Sequence, residues 1–248
     1  MTAGPHSPHT LMIRKLESIF RLSTEEKQAL HDLPVQLQLL KADQDIVRIG
    51  DSPSQCCLLV EGYTCVYKLT TEGKRQIVAF YVPGDMPDLQ SLHLKVLDNS
   101  LATVTPCTVG FIQHENLRRI CDRYPRITAA LWRETLVDAS IFREWVLNVG
   151  RRDAFSRMAH LLCEFRVKLK AVGLAEDDTF DLPLTQGELA DAIGTSNVHV
   201  NRVLQDLRAK DLIRSKGTQV TIPDWEKLKA VAGFDPLYLH LESEEVAA

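Results

Sequence analysis

The sequence predicts an α+β fold: a barrel of short strands, a long helix, and a small helical module closed by a β-hairpin. Three observations carry this. Short runs of β-favouring residues between Val35 and Ile112 are punctuated by Gly50, Gly62, Gly73 and Gly84 at nearly even intervals. The segment from about Arg126 to Asn148 places apolar residues on two sides at helical spacing. Leu184 to Asp211, LTQGELADAIGTSNVHVNRVLQDLRAKD, has the caps, turn glycine and apolar stripe of two short helices meeting at a tight turn.

In chain order, residues before about Thr10 are rich in Pro, Gly, Ser and His and read as a loose tail. Leu11 to Phe20 and Ser23 to Leu33 read as helices, the second opened by the capping-box spacing of Ser23 and Glu26. From Val35 the periodicity changes. Val35 to Leu40, Ile46 to Ile49, Cys57 to Val60, Thr64 to Leu69, Arg75 to Val82, Leu101 to Val104 and Thr108 to Ile112 are strand-like, and even turns between short strands predict a jelly-roll β-barrel within residues 11–122. Such a barrel either holds a small ligand or is filled by its own side chains, and the sequence leaves both open. Gly84 to Ala102, GDMPDLQSLHLKVLDNSLA, interrupts the strand rhythm and is the expected ligand-side loop. His93 and Lys95 are its potentially cationic side chains, opposed by Asp85, Asp88 and Asp98. A plain surface connection is the alternative.

Glu115 to Cys121 reads as a short helix broken by Tyr124-Pro125. In the long helix that follows, Leu131, Phe142, Trp145 and Val149 fall near one face, and Trp132, Leu136 and Leu147 on another. One face is expected to cover the barrel and the other to meet a second copy; burial of both inside a monomer is the competing reading. Residues 123–150 are thus a dimerisation helix and hinge, the hinge marked by Gly150, Arg151 and Arg152. Ala154 to Val172 is a further amphipathic helix, followed by a polar connection, Gly173 to Asp181.

Thr185 and Glu188 repeat the capping-box spacing, Leu189, Ala190 and Ile193 share one face, and Gly194 stands where a left-handed residue ends a helix. Ser196 then caps a second helix whose Val200, Val203, Leu204 and Leu207 form its apolar stripe. That is a helix-turn-helix. With the stripe inward, Asn197, Val198, Asn201, Arg202 and Gln205 face outward near the end that reaches base edges in a major groove. Arg202 has a planar fork suited to guanine O6 and N7 or to a phosphate. Leu212 to Arg214 and Gln219 to Ile222, joined by a Gly-containing turn, make the module a winged helix-turn-helix, spanning 151–233, with Arg214 and Lys216 placed to meet phosphates. An ordinary helix pair with solvated charges is the bland reading of these residues. The wing after a fitted helix-turn-helix favours double-stranded DNA as the partner. A helix capped by Asp224 runs to Ala230, and the end is acidic and small.

Composition narrows the class. An apolar fraction of 45% and a charged fraction of 25% are those of a globular protein, and neither a membrane span nor a secretory leader is present in the sequence, so the chain is expected in the cytoplasm, without a membrane partner. A net charge of −4 excludes indiscriminate coating of DNA and suits a confined basic patch. Cys56, Cys57, Cys65, Cys107, Cys121 and Cys163 are scattered among apolar neighbours with no C-x-x-C pair and read mostly as buried thiols, with a redox-sensing thiol as the lesser alternative.

The order of barrel, long helix and winged helix-turn-helix resembles the Crp/Fnr family of bacterial transcription regulators. The resemblance is most specific in Thr185 to Ser196, TQGELADAIGTS, with Val200 and Arg202 at the positions of the family's recognition-helix core residue and DNA-contacting arginine, and it extends to LLVEGYTCVYK and VPGDMPDLQ in the barrel. It implies DNA contacts by Thr185, Gln186, Ser196, Asn197, Val198, Asn201, Arg202, Gln205, Arg214 and Lys216, a homodimer on a palindromic promoter site, and RNA polymerase as a partner. It also places Asp88, Asn99 and Ser100 near the family's pocket positions, which with His93 and Lys95 of the same loop make up the candidate effector pocket. Where cyclic-AMP-binding members carry a glutamate and an arginine with a small hydroxyl residue, this chain has Asp88 and Asn99-Ser100. Without a guanidinium a buried phosphate loses its bidentate partner, so cyclic AMP is not the expected effector. No cysteine precedes Cys56, which argues against the iron–sulfur cluster of the oxygen-sensing branch. Haem stays open through His93, and many members have a glutamate where Val198 stands.

The reading is therefore a regulator and not an enzyme, with an effector that the sequence does not name. One alternative is a cupin-like metal enzyme fused to a helical domain, for which the barrel offers only the isolated His93 and His114 and no expected metal site. Another is a ligand-free regulator governed by abundance or protein partners.

Overall fold

The computed structural model describes residues 7–242. Most of the expected N-terminal tail and the acidic end from 243 lie outside that range. The chain divides into two compact units, one of residues up to Lys68 with Phe80–Ala139, the other of Leu69–Ala79 with the residues from Ser140 onward.

The first unit opens with α1 (Pro8–Glu17) and α2 (Thr24–His31). Pro8 sits in the first turn of α1, where its missing N–H has no helical partner to lose, so the helix starts earlier than apolar spacing suggests. The α2 capping box closes both ways: Glu26 N donates to Ser23 Oγ at 3.2 Å and Ser23 N to Glu26 Oε2 at 2.7 Å. Along the chain then come β1 (Gln36–Leu40), β2 (Asp45–Val47), β3 (Gln55–Glu61), β4 (Thr64–Leu69), β5 (Arg75–Tyr81), whose residues up to Ala79 belong to the second unit, β6 (Ser100–Thr103) and β7 (Cys107–Gln113). They form two sheets, ordered β1-β7-β3 and β2-β6-β4-β5, as a jelly-roll requires. The expected ligand-side loop contains a 3-10 turn, Leu89–Leu92.

After β7 come α3 (His114–Arg123) and α4 (Pro125–Arg151). Cys56, Leu58 and Ile112 from the strands share one core with Leu16, Leu30, Leu117, Ile127 and Leu131 from the helices. Lys15 of α1 ties this layer together through Asp85 at 2.8 Å and Glu134 of α4 at 3.4 Å. Burial alone would lower its ammonium, but the two carboxylates hold it well above the ordinary lysine value.

Two sequence expectations change in the second unit. The helix expected to end at Asn148 runs on through Gly150 to Arg151, because an exposed glycine with nothing near its Cβ position weakens a helix without stopping it. The break falls at Arg152 and Asp153, whose carboxylate accepts from Ser156 N at 2.8 Å to open α5 (Ala154–Ala171). The supposed polar connection is a hairpin, β8 (Ala175–Glu176) and β9 (Thr179–Asp181), turning at Asp177 with φ 51°. Runs of two and three residues are too short for alternation to reveal. Beyond them lie α6 (Gln186–Ile193), α7 (Asn197–Ala209), β10 (Arg214–Lys216), β11 (Gln219–Thr221) and α8 (Trp225–Ala232). The wing is thus half of a four-stranded sheet, β10-β11-β9-β8.

Turn glycines in the barrel differ in what they protect. Gly50 and Gly62 have φ of 91° and 89°, but an added Cβ meets nothing at Gly50, whereas at Gly62 it meets Pro106 O at 2.5 Å and Cys107 Sγ at 2.7 Å. Gly50→Ala should therefore lower stability by about 1–2 kcal/mol from backbone strain alone. Gly62→Ala should cost roughly 2–5 kcal/mol, since crowding adds to strain. Urea unfolding checks the ranking, and equal losses would contradict it.

Candidate nucleic-acid interface and sensor site

The angle between α6 and α7 is set by how the end of α6 is satisfied. Thr185 and Glu188 form a complete capping box at its start, with Glu188 N donating to Thr185 Oγ1 at 3.2 Å. At its end Gly194 is left-handed, φ 67° and ψ 48°, and Thr195 N turns back to Ala190 O at 3.0 Å. Two more carbonyls of the last turn go to side chains: Gln76 Nε2 donates to Ala192 O at 3.0 Å and Arg157 Nη1 to Ile193 O at 2.8 Å. Arg75 adds an ion pair to Asp191 at 2.7 Å. Arg75 and Gln76 were invisible as participants in the sequence, because more than a hundred residues separate them from α6 and neither belongs to a local motif.

Ser196 then accepts from His199 N at 3.3 Å and starts α7. Val200, Val203 and Leu207 are buried, so the helix has one inward stripe. Opposite it, Asn197, Val198, Arg202 and Gln205 are exposed and Asn201 is half-buried. The residues that sequence spacing assigned to one outward face share it. Among the described residues Arg202 has no ion-pair partner, which leaves its full donor fork available. Thr185 and Gln186, at the start of α6, and Ser196, at the start of α7, are exposed at helix N-termini, where anions are favoured.

The wing carries Arg214 and Lys216 on exposed β10. Arg214 is bound at both ends to Asp211, Nε to Oδ1 and Nη2 to Oδ2, each at 3.0 Å. That pairing holds the Asp211 carboxyl below its usual range and makes Lys216 the freer of the two cations. Lys210 is turned onto the Phe155 ring at 4.3 Å.

Of the residues expected at the effector pocket, His93 lines an apolar cavity to which Asp88, Lys95, Asn99 and Ser100 do not contribute. Asp88 is 2% exposed and accepts from Cys57 N at 2.7 Å, pinned to β3. Burial pushes its carboxyl up to about 7, against the lowering effect of that amide. Ser100 is buried and accepts from Ile49 N at 3.1 Å, Asn99 is half-buried, and Lys95 is exposed. His93 is exposed at the edge of a separate, mostly apolar pocket of about 300 Å³, lined also by Leu89, Leu92, Cys121, Leu131 and Trp132. His114, the other barrel histidine, shares a 2.9 Å hydrogen bond with Ser91 Oγ. Among the described residues no group of three or more His, Cys, Asp or Glu is placed to hold a metal ion. The six cysteines are free and, except for half-buried Cys121, buried; burial raises the thiols of Cys56, Cys57, Cys107, Cys121 and Cys163, the reverse of what a reactive thiolate needs. This arrangement does not fit an iron–sulfur cluster. No described helix is long and apolar enough to cross a membrane.

Comparison with known proteins agrees with this geometry. Residues 156–231 match the Crp-like helix-turn-helix domain and residues 37–124 the cyclic nucleotide-binding domain. The chain is 26% identical to the transcriptional activator protein FnrL of Cereibacter sphaeroides over 219 residues, 87% of each chain. It is 23% identical to the transcriptional activator protein Anr of Pseudomonas aeruginosa over 212 residues, 86% of each. Among solved structures it is similar to FixK2 of Bradyrhizobium japonicum, with a TM-score of 0.71 and 21% identity, covering 80% of this chain and 98% of that one. A sensor-type barrel followed by a winged helix-turn-helix with an exposed polar recognition face defines a DNA-binding transcription regulator. The chain belongs to the Crp/Fnr family.

Asp88 gives this site a measurable pH signature. Its folded-state pKa lies above the unfolded value, so its contribution is fully present below about pH 4 and is lost as pH rises towards 7. Asp88→Asn keeps an acceptor for Cys57 N and cannot ionise. Its stability relative to the parent should rise by roughly 2–4 kcal/mol between pH 4 and pH 8. Denaturation curves for the two proteins that stay parallel across that range would contradict the assignment.

Proposed function

We propose that this protein is a homodimer that binds a palindromic promoter site, each protomer placing the 196–210 helix in a major groove. The exposed polar face of α7, free of the chain's own core, carries this reading. Arg202 reads a base edge or clamps a phosphate there, flanked by Asn197, Val198, Asn201 and Gln205. Thr185, Gln186 and Ser196 offer helix N-termini to the backbone, and Lys216, with Arg214, meets phosphates from the wing. Residues 11–122 act as the sensor, 123–150 as the dimerisation helix, and 151–233 as the DNA-binding domain. The protein acts by binding, in the cytoplasm where its DNA is, and transmits occupancy to RNA polymerase.

The second-copy contact is supported by α4. Trp132 is 67% and Leu136 53% exposed, one helical turn apart, while Leu131 and Val137 are buried on the other side. Exposed Val146 and Leu147 extend the apolar surface of the helix. For the effector, pinned Asp88 and an asparagine, Asn99, in the place before Ser100 where cyclic-AMP-binding members carry an arginine argue against a cyclic nucleotide. The pocket beside His93 suits a small, mostly apolar molecule instead.

Leu136→Glu tests the assembly. The parent should run at the dimer mass by light scattering and the variant as a folded monomer. Affinity for the palindromic site should fall by about a hundredfold or more, because the second half-site no longer binds as part of one molecule. A variant that remains dimeric and binds as tightly would contradict this surface.

A further inference from the structure

One apolar side chain stands on the outward face of α7. Val198 stands three and four residues before Asn201 and Arg202, and Gln205 four and three residues after them, so the four share that face. The other three carry hydrogen-bonding groups; valine has none. Val198 is 64% exposed, off the buried stripe of Val200, Val203 and Leu207. Helix energetics do not favour it: β-branched valine is a weaker helix former than alanine or glutamate, and a first turn favours a carboxylate, of which this one has none. A residue that weakens its own helix and buries nothing within the chain points to burial in a complex.

Building on the DNA-binding role of α7, we propose that Val198 reads the C5-methyl group of a thymine, fixing a T·A pair at one position of each half-site. That methyl is the one apolar group that unmodified base pairs display in the major groove. Beside a valine, the amine of cytosine or the O6 of guanine loses water and gains no partner, so those pairs are disfavoured. Val198 and Arg202 are separated along the helix by about 6 Å. That is roughly two base-pair steps of about 3.4 Å, so the thymine lies within about two pairs of the base or phosphate that Arg202 engages.

The experiment begins with the full-length protein selecting its site from a random duplex library. Each thymine of the selected operator is then replaced by deoxyuridine, which removes only the methyl group, and binding is followed by fluorescence anisotropy. At one symmetric position the substitution should weaken binding about fourfold per half-site. Val198→Ala, whose methyl is shorter, should diminish that penalty while leaving the salt dependence unchanged, since no phosphate contact is altered. Val198→Glu should shift the selected pair towards one presenting a cytosine amine. A parent protein indifferent to deoxyuridine at every thymine, or a penalty that persists undiminished in Val198→Ala, overturns the proposal while leaving DNA binding intact. A protein that selects no site at all overturns the proposal together with the reading on which it rests.

Discussion

Burial of Val200 fixes the rotation of α7 about its own axis, and the functional surface depends on that rotation. Val200 is fully buried, and Val203 and Leu207 follow it into the core beside α5 and α6. Each such side chain contributes about 1.5–3 kcal/mol by leaving water. Turning the helix by one residue, about 100°, would withdraw the stripe and submerge Arg202, so the apolar side holds the polar side outward. The left-handed Gly194, with Gln76 and Arg157 on the last carbonyls of α6, fixes where that helix begins.

The barrel follows a different rule. Its ligand-side loop is fastened by its own polar groups: Asp88 to the Cys57 amide, Ser100 to the Ile49 amide, and the Asp85 carboxylate to the Val82 amide at 2.8 Å. Groups used in this way are spent on the loop, and a buried carboxyl with so little solvation resists ionisation. Asp88 is devoted to its own backbone. A cavity lies beside His93, between the 3-10 turn, the end of α3 and the first turns of α4.

How much of this was legible in the sequence depended on the range of the interaction concerned. Capping boxes at Ser23 and Thr185, the turn at Gly194 and the stripe of α7 are written within a few residues, and each forms as local spacing predicts, except that Leu204, expected in the stripe, is only half-buried. The exposed and buried sides of α4 were also readable, as Trp132 and Leu131 show. Hidden were features with no local period or with distant partners. The β8–β9 hairpin is too short to alternate, and the hinge expected at Gly150, Arg151 and Arg152 leaves the first two within α4, since an exposed glycine can ride within a helix. The clasp of Arg75 and Gln76 on α6, and the hydrogen bond from Tyr238 to Glu164 at 2.7 Å, join residues far apart in the chain. For the pocket, residue type was legible but direction was not: Asp88 is a carboxyl in the expected loop, but it faces a backbone amide and burial makes it a weaker acid than an ordinary aspartate.

The central claim is that the outward face of α7 delivers sequence recognition, with Arg202 at its centre. The most direct measurement compares the parent and Arg202→Ala by anisotropy on the operator the parent selects and on an unrelated duplex of equal length. The account predicts a loss of about 1–3 kcal/mol per half-site on the operator and unchanged thermal stability; a far smaller loss on the unrelated duplex marks a base contact, and an equal one a phosphate contact. Equal affinity of the two proteins for the operator would contradict it.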